Sequence, residues 1–423
     1  MQTSTLTDSH SRSLASNASK WALVTALFFI SALNYADRTS ITAVFPLLKS
    51  QLGFTDVGLG AIGSMFLWSY ALASPFSGYI GDRVDRKRIV LCSLGAWSLA
   101  TLLTGLVHSH GQLLATRVVL GLVESMYLPA AYAWISEYHT ERTRATALTI
   151  VSSGNFVGLV GGGALGGYLG GWLGWRAPLI LLGIVGVLTA FTFSFVLPKS
   201  TLMARHPGNE RASFFRTVGE LARIPSFLVL AFAGMLGAVG IWIFINWLPL
   251  YFNETFGMTL AAAGFWGSSV VSTASAISAA AGAPLSDLVA RRNVRNRMLL
   301  NASLILCAAP ALLVFVYRPS QPAAIAALLA YAIFRSVGDL NIVPLLCHIA
   351  GEQRRSTAVG LTNMLNTATA GVGVFLAGML KRDFGLGGVF AGVGAILLLD
   401  AALLFAGYFF FVPVDRDKDS EIT

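Results

Sequence analysis

The stretch Asn34-Tyr35-Ala36-Asp37-Arg38 lies two-thirds of the way along an apolar segment that runs from Trp21 to Leu47. A lone carboxylate or guanidinium near the centre of a bilayer costs about 2.5–3.5 kcal/mol on insertion scales. This segment carries one of each, side by side, with an amide and a phenol just upstream. Such groups persist inside a membrane where they face one another, a partner helix or a water-filled cavity. The stretch is therefore expected to form one wall of a polar cavity inside a membrane protein.

Composition points the same way. Of 423 residues, 55% are hydrophobic and only 12% charged, against roughly 25% charged in a soluble domain; mean hydropathy is +0.69. Apolar runs of spanning length, about 20 residues, recur near 21–47, 57–81, 88–107, 112–136, 145–171 and 176–197. Six more follow near 225–252, 260–285, 297–317, 322–350, 356–380 and 387–412. The expected class is an all-α polytopic membrane protein with twelve transmembrane helices. The first run is too long for a signal peptide, continues through Asp37-Arg38 and meets no small-residue cleavage site, so it reads as an uncleaved span.

The net charge of +9 would suggest nucleic acid in a soluble protein. Here the basic residues sit in short loops, where anionic headgroups and topology explain them, and nucleic acid is not an expected partner. With the N-terminus in the cytoplasm, twenty-one Lys and Arg fall on that side and five outside: Lys49, Arg176, Arg318, Lys381 and Arg382. Arg38, Arg117 and Arg335 lie within spans. That asymmetry predicts a multi-pass protein of the cell (inner) membrane with both termini cytoplasmic. Cys92, Cys307 and Cys347 sit in apolar runs and are odd in number, and the six histidines are scattered. No disulfide framework, metal site or cofactor is expected.

The chain also repeats itself. Gly78-Tyr79-Ile80-Gly81-Asp82-Arg83-Val84-Asp85-Arg86-Lys87 returns 205 residues on as Ala283-Pro284-Leu285-Ser286-Asp287-Leu288-Val289-Ala290-Arg291-Arg292. Glu141-Arg142-Thr143-Arg144-Ala145-Thr146-Ala147-Leu148 returns 211 residues on as Glu352-Gln353-Arg354-Arg355-Ser356-Thr357-Ala358-Val359. The predicted organisation is a tail (1–20), a six-helix bundle (21–197), a polar cytoplasmic linker (198–224), a second six-helix bundle (225–413) and a tail (414–423). Parallel halves of this kind place a binding site between them near the midplane.

The Gly78-x-x-x-Asp82-Arg83-x-x-Arg86-Lys87 loop, its echo at Asp287 and Arg291, and the twelve-span plan resemble the major facilitator superfamily across nearly the whole chain. The resemblance implies two pseudo-symmetric six-helix bundles and a cytoplasmic gate made by those loop residues. Topology anchoring and helix capping are the structural alternative for the same charges. Asp85 stands where the family often has glycine.

Span four carries Arg117, Gly121, Glu124, Tyr127 and Pro129. Seven helical steps return to within about 20°, so Arg117 and Glu124 share a face with Gly121. That face suits a wall opposite Asp37-Arg38, either as a working constellation or as a structural ion pair between spans one and four. Together with Tyr70, Trp247-Leu248-Pro249-x-Tyr251 and Gly360-Leu361-Thr362-Asn363, these motifs resemble the anion:cation symporters of the superfamily, which take up sugar acids and other organic anions. The resemblance implies that Arg38 grips a substrate carboxylate and that Tyr35, Tyr70, Asn155 and Asn363 line the site. It makes Asp37 and Glu124 the proton-carrying acids, Arg117 the charge that tunes them, the proton the coupling ion and the monomer the working unit. Asn155 stands where the family often has a longer glutamine.

Other signals leave alternatives open. The glycines from Gly158 to Gly167 resemble the motif of proton-coupled drug antiporters, with Gly163 where those have proline, but small residues also simply let helices pack. Spinster-like lipid transporters share Asn34-Tyr35-x-Asp37-Arg38. A proton-coupled exporter of drugs or lipids is thus the second reading. Arg335 and Asp339, four apart, share a helix face: a structural salt bridge, or a second anion-binding arginine. Trp242, Trp247, Asn246, Asn341 and Asn366 are candidate cavity linings, and Asp400 stands alone in span twelve. There is no metal cluster, phosphate loop or nucleophile beside a base in the sequence, so no enzymatic activity is expected.

Overall fold

The structure is a computed structural model that describes residues 4–81, 84–198 and 214–411. Asp82 and Arg83 of the gate loop, residues 199–213 of the linker and the 414–423 tail lie outside the described residues. All regular structure among the described residues is helical. In the first half, α1 is Ser4–Ala43, followed by a short helix Phe45–Leu52; α2 is Asp56–Gly81 and α3 is Arg86–Thr104. Then α4 runs from His110 to Tyr138, interrupted between Glu124 and Tyr127, and α5 (Glu141–Leu173) and α6 (Arg176–Val196) follow.

A short helix, Phe214–Leu221, precedes the second half. There α7 is Pro225–Phe256, α8 is Leu260–Arg292, α9 is Asn296–Leu313, and α10 runs from Gln321 to Ala350, interrupted between Asp339 and Ile342. The stretch Arg355–Ala406, if straight, would measure about 78 Å, more than twice an apolar core of about 30 Å. Gly385, at φ 66° and ψ 171°, breaks it directly after Lys381-Arg382-Asp383 into α11 (355–384) and α12 (386–406). Nine stretches among the described residues are long and apolar enough to cross a membrane. The one broken at Gly385 crosses twice, and α1 and α3 complete the twelve. An even number of crossings puts both termini on one face, called proximal here; the opposite face is distal.

The repeat is written into the backbone as well as the loops. Gly53 and Gly257, with φ of 69° and 63°, cap Phe45–Leu52 and α7 and lie 204 residues apart. Gly174 and Gly385, with φ of 85° and 66°, join α5 to α6 and α11 to α12 and lie 211 apart. Left-handed backbone favours glycine because a Cβ clashes there. The halves therefore turn at equivalent places.

Between the halves, α2 packs on α11 and α5 packs on α8, the two contacts that the repeat makes equivalent. Helices α3 with α6 and α9 with α12 flank this central group. Helix α5 earns its glycines on two faces. Gly154, Gly158, Gly162 and Gly166 rest on the α1 backbone at Phe28, Ala32, Ala36 and Ser40, where any Cβ would overlap α1. Gly163 and Gly167 rest on α8 at Gly264, Ser268 and Leu260. Ser40 Oγ donates to the Gly162 carbonyl at 2.9 Å. In a bilayer, where hydrophobic attraction between helices is absent, this close approach is what holds them together. It clamps α1 at Ala36, between Tyr35 and Asp37.

Candidate functional site

Adjacent residues on α1 part company. Successive side chains on a helix diverge by about 100°, so Arg38 and Asp37 look in different directions. Arg38 Nε and Nη2 donate to Glu124 Oε2 of α4 at 2.9 and 2.7 Å, and Nη2 also donates to Asn34 Oδ1, one turn back, at 2.9 Å. Asp37 Oδ2 accepts from Thr101 Oγ1 of α3 at 3.2 Å. Arg117, two turns before Glu124, donates through Nη2 to Thr104 Oγ1 at 3.3 Å. All four charged side chains are buried. They number two acids and two bases, so the cluster is neutral when all are ionised. Gly121 lets α4 sit directly on α2 at Phe66, Ser69 and Tyr70, which brings Glu124 within reach of α1.

The Arg38 guanidinium lies inside an aromatic cage. Its Cζ is 4.6 Å from the Tyr35 ring centroid, 4.8 Å from Phe66, 5.4 Å from Tyr70 and 5.9 Å from Trp242. Each such contact contributes about 0.5–2 kcal/mol depending on desolvation. Trp242 belongs to α7, so the cage closes across the two halves. Arg38, Arg117, Ile62, Gly63, Phe66, Trp242 and Asn246 line a cleft of about 20 Å³, room for a single water. Gly63 makes the closure possible, because a Cβ there would collide with the Asn246 amide. Several polar atoms are left without a hydrogen-bond partner among the described residues: Glu124 Oε1, Asp37 Oδ1, Arg117 Nε and Asn34 Nδ2.

Toward the distal face the halves are tied by four charges. Lys49 Nζ donates to Asp56 Oδ1 at 3.0 Å and to Glu254 Oε1 at 3.1 Å. Lys381 Nζ donates to Asp56 Oδ1 at 2.7 Å and to Glu254 Oε1 at 3.0 Å. Lys49 and Asp56 come from the first half, Glu254 and Lys381 from the second. Partial burial works against the charge on Lys49, but the hydrogen bonds to Asp56 and Glu254 outweigh it and raise the ammonium above the ordinary lysine range.

The proximal loops hold within their own halves. Arg86 pairs with Glu137 and donates to the Ala133 carbonyl at 2.9 Å, both on α4. Lys87 Nζ donates to the Leu197 carbonyl. Arg297 pairs with Asp287 at 2.8 Å, and Arg291 is exposed. Gly78 falls inside α2. Asp85, in place of the family's common glycine, is the N-cap of α3 and accepts from the Arg88 amide at 2.9 Å. Among the described residues, no ion pair joins these loops across the halves.

The remaining candidates are scattered. Tyr35 and Tyr70 are in the Arg38 cage, whereas Asn155 of α5 and the exposed Asn363 of α11 do not line the cleft. Arg335 is buried in the second half, paired with Asp339 and pressed against Gly237 of α7. Trp242 and Asn246 line the cleft, while Trp247 donates to the Val374 carbonyl and Asn341 bonds Ser286. Asn366 packs against Gly234. Phe66, Thr101 and Thr104 escape a reading based on charged motifs; the threonines stand out only as a polar pair in the apolar run of span three. The distal tie escapes it too, although Lys49 and Glu254 lie 205 residues apart, the offset of the repeated loop.

Chemically, the arrangement offers a permanently charged fork whose present partner is a titratable carboxylate. Arginine binds carboxylates bidentately and does not deprotonate, so a second carboxylate can compete with Glu124 for it. Residues 27–338 and 267–422 match the family model of the Major Facilitator Superfamily. An MFS-type efflux pump of Mycolicibacterium smegmatis is 29% identical over 92% of this chain and 90% of its own length. The protein named Probable galactarate/D-glucarate transporter GudP of Escherichia coli is 25% identical over 65% of this chain and 67% of its own. Among solved structures, a bacterial homologue of the human lysosomal transporter Spinster, inward-facing and unoccupied, superimposes with a TM-score of 0.82 at 21% identity, covering 93% of this chain and 98% of that one.

Proposed function

The chain belongs to the major facilitator superfamily, and from that premise we propose that it carries a small organic anion, a sugar acid or another carboxylate, together with protons by alternating access. The observation that carries this reading is the Arg38–Glu124 pair inside the aromatic cage. An incoming carboxylate takes the Arg38 fork. Glu124, displaced, is then a buried carboxyl without its guanidinium, and a proton neutralises it. Anion and proton thereby favour each other's binding, which is the coupling that symport requires. Asp37 and Glu124 share Arg117 between them and are assigned as a coupled pair of proton carriers.

The distal tie and the narrow cleft fit a state closed on the distal side, which the positive-inside asymmetry makes the outside of the cell membrane. Substrate enters and leaves this state from the cytoplasmic side, and the reverse state requires the four-charge tie to part. The protein works as a monomer, with the lipid bilayer as its solvent. The efflux pump similar over 92% of the chain favours a second reading, in which the same site drives export.

The test is transport in proteoliposomes, with labelled D-glucarate outside and an inward-directed proton gradient. Accumulation is expected in the parent protein and none with Arg38→Ala. Asp37→Asn is expected to lose gradient-driven accumulation yet keep anion exchange. Proton-driven movement of cationic dyes that survives Arg38→Ala, with no response to any carboxylate, would sink anion symport and leave export.

A further inference from the structure

A second buried charged cluster sits inside the second half, away from the Arg38 cleft. It holds Arg335 and Asp339 of α10, Asp400 of α12, Tyr331 of α10 and Asn301 of α9. Asp400 is wholly buried, and neither of its carboxylate oxygens has a hydrogen-bond partner among the described residues. In α12 Asp400 lies fourteen residues after Leu386 and six before Ala406, about 21 and about 9 Å along the helix. It is therefore well inside the apolar span, where water is scarce.

Arg335 is already committed. It pairs with Asp339, and Gly237 of α7 fits against its guanidinium so closely that a Cβ would overlap it. The cluster thus contains one base and two acids. Fully ionised, it would leave one uncompensated negative charge in the middle of a bundle. Tyr331 Oη and both amide atoms of Asn301 are also buried without hydrogen-bond partners among the described residues, and Asn301 touches Gly338, next to Asp339. These groups can receive or donate a hydrogen bond, but none carries the missing positive charge.

Among the described residues no other group supplies it. At the Gly385 end of the 355–406 hairpin, α2 and α7 bring Asp56, Tyr251 and Glu254, and Lys381 is spent on Asp56 and Glu254. Arg382 and Asp383 flank that turn, with Tyr317 and Arg318 beyond the end of α9. At the other end, Arg297 is paired with Asp287, Arg216 with Glu220, and Arg354 and Arg355 lie with Glu220 and Glu352. His348 and Cys347 are on the proximal segment of α10, and Cys307 of α9 is exposed. Arg335 and Asp339 are the charges that act on Asp400.

We propose that Asp400 is a proton-binding site of the second half, held as a neutral carboxylic acid beside the Arg335–Asp339 pair. The O–H bond forms on a carboxylate oxygen with a proton taken from bulk water, and the cluster becomes neutral. Asp400 holds this proton in the resting protein, whichever substrate the Arg38 site takes.

Infrared spectroscopy of the full chain in liposomes tests it without a substrate. At neutral pH the parent protein is expected to show a protonated-carboxyl stretching band that shifts in deuterium oxide. Asp400→Asn, a near-isostere of the neutral acid, is expected to remove the intensity of one carboxyl and to leave the unfolding temperature within a few degrees. An unchanged band in a folded Asp400→Asn protein overturns the proposal. Should that variant not fold, carboxyl-labelled aspartate in the parent and in Asp400→Glu provides the second measurement: a label-shifted protonated band at neutral pH that Asp400→Glu removes supports Asp400, and its absence from the parent or its survival in Asp400→Glu overturns it.

Discussion

The two halves solve one problem with opposite placements of arginine. Helices α4 and α10 are each interrupted directly after an acid, Glu124 and Asp339. In the first half the acid's partner, Arg38, comes from another helix, α1, and is aimed at the seam between the halves. In the second half the partner, Arg335, comes from the acid's own helix one turn back and is buried against α7. A base donated across helices can be borrowed by a ligand from the seam. A base donated within one helix is locked in the bundle. Near-equivalent positions thus yield an exchangeable pair in one half and a fixed pair in the other.

The largest expected effect breaks the exchangeable pair. Arg38→Ala strands Glu124 as a buried, unpartnered carboxylate and should cost about 3–5 kcal/mol of stability, read as a lowered unfolding temperature in lipid nanodiscs. It should also abolish D-glucarate binding by calorimetry. Adding Glu124→Gln should recover much of the stability and none of the binding. Recovery of binding would mean that Arg38 is only structural.

The mirror-image change, Arg335→Met, should weaken D-glucarate binding by less than about threefold, because Arg335 does not line the cleft; 1.4 kcal/mol would already be tenfold. A loss as great as that of Arg38→Ala would erase the contrast between the halves. Next in size, Gly162→Leu should cost about 1–3 kcal/mol by overpacking α5 against α1, with impaired transport as the readout at Ala36. Gly161→Leu, where a Cβ meets open space, is the control and should be silent.

Weaker again is the distal tie. Lys49 is its most exposed member, and ion pairs of that kind contribute about 0–1 kcal/mol each and are screened by salt, whereas Lys381 is buried and its pairs are screened less. Glu254→Gln should shift the population toward the distally open state by a few-fold, measured as faster labelling of a cysteine placed in the cleft. Lys49, whose ammonium is raised above the usual lysine range, favours the tied state fully below that range and loses its contribution only as pH climbs through the raised value. Acidification from pH 8 to pH 6 should therefore leave the Lys49 contribution intact. The smallest effect is expected from Asp85→Ala, about 1 kcal/mol for a lost N-cap.

The twelve crossings, the two halves and the junctions between them can be read from the chain because each depends on local chemistry: apolar length, loop charge and repeated spacing. Gly53 with Gly257 and Gly174 with Gly385 show how far that reading extends, down to individual backbone turns. The approach of Arg38 to Glu124 is also legible, since a glycine one turn before the acid permits it. The turning of Asp37 toward Thr101 is hidden, because adjacency in sequence suggests companionship where a helix imposes divergence. The distal tie is hidden for another reason: its four charges come from four separate helix ends and meet only when the halves do. Asn363 and Asn155 illustrate the limit of motif transfer: Asn363 matches its pattern and Asn155 stands in for a longer glutamine, yet neither lines the cleft in this state.

The distal tie joins two ammonium groups and two carboxylates, so it carries no net charge. Each half contributes one ammonium and one carboxylate, so when the halves part each carries its own neutral pair and no net charge moves along the membrane normal. A membrane potential exerts about 2.3 kcal/mol per elementary charge per 100 mV, but it finds no net charge to pull on here. This gate is electrically silent, which leaves the charges buried deeper in the protein, in the central cleft and at Asp400, to feel the potential.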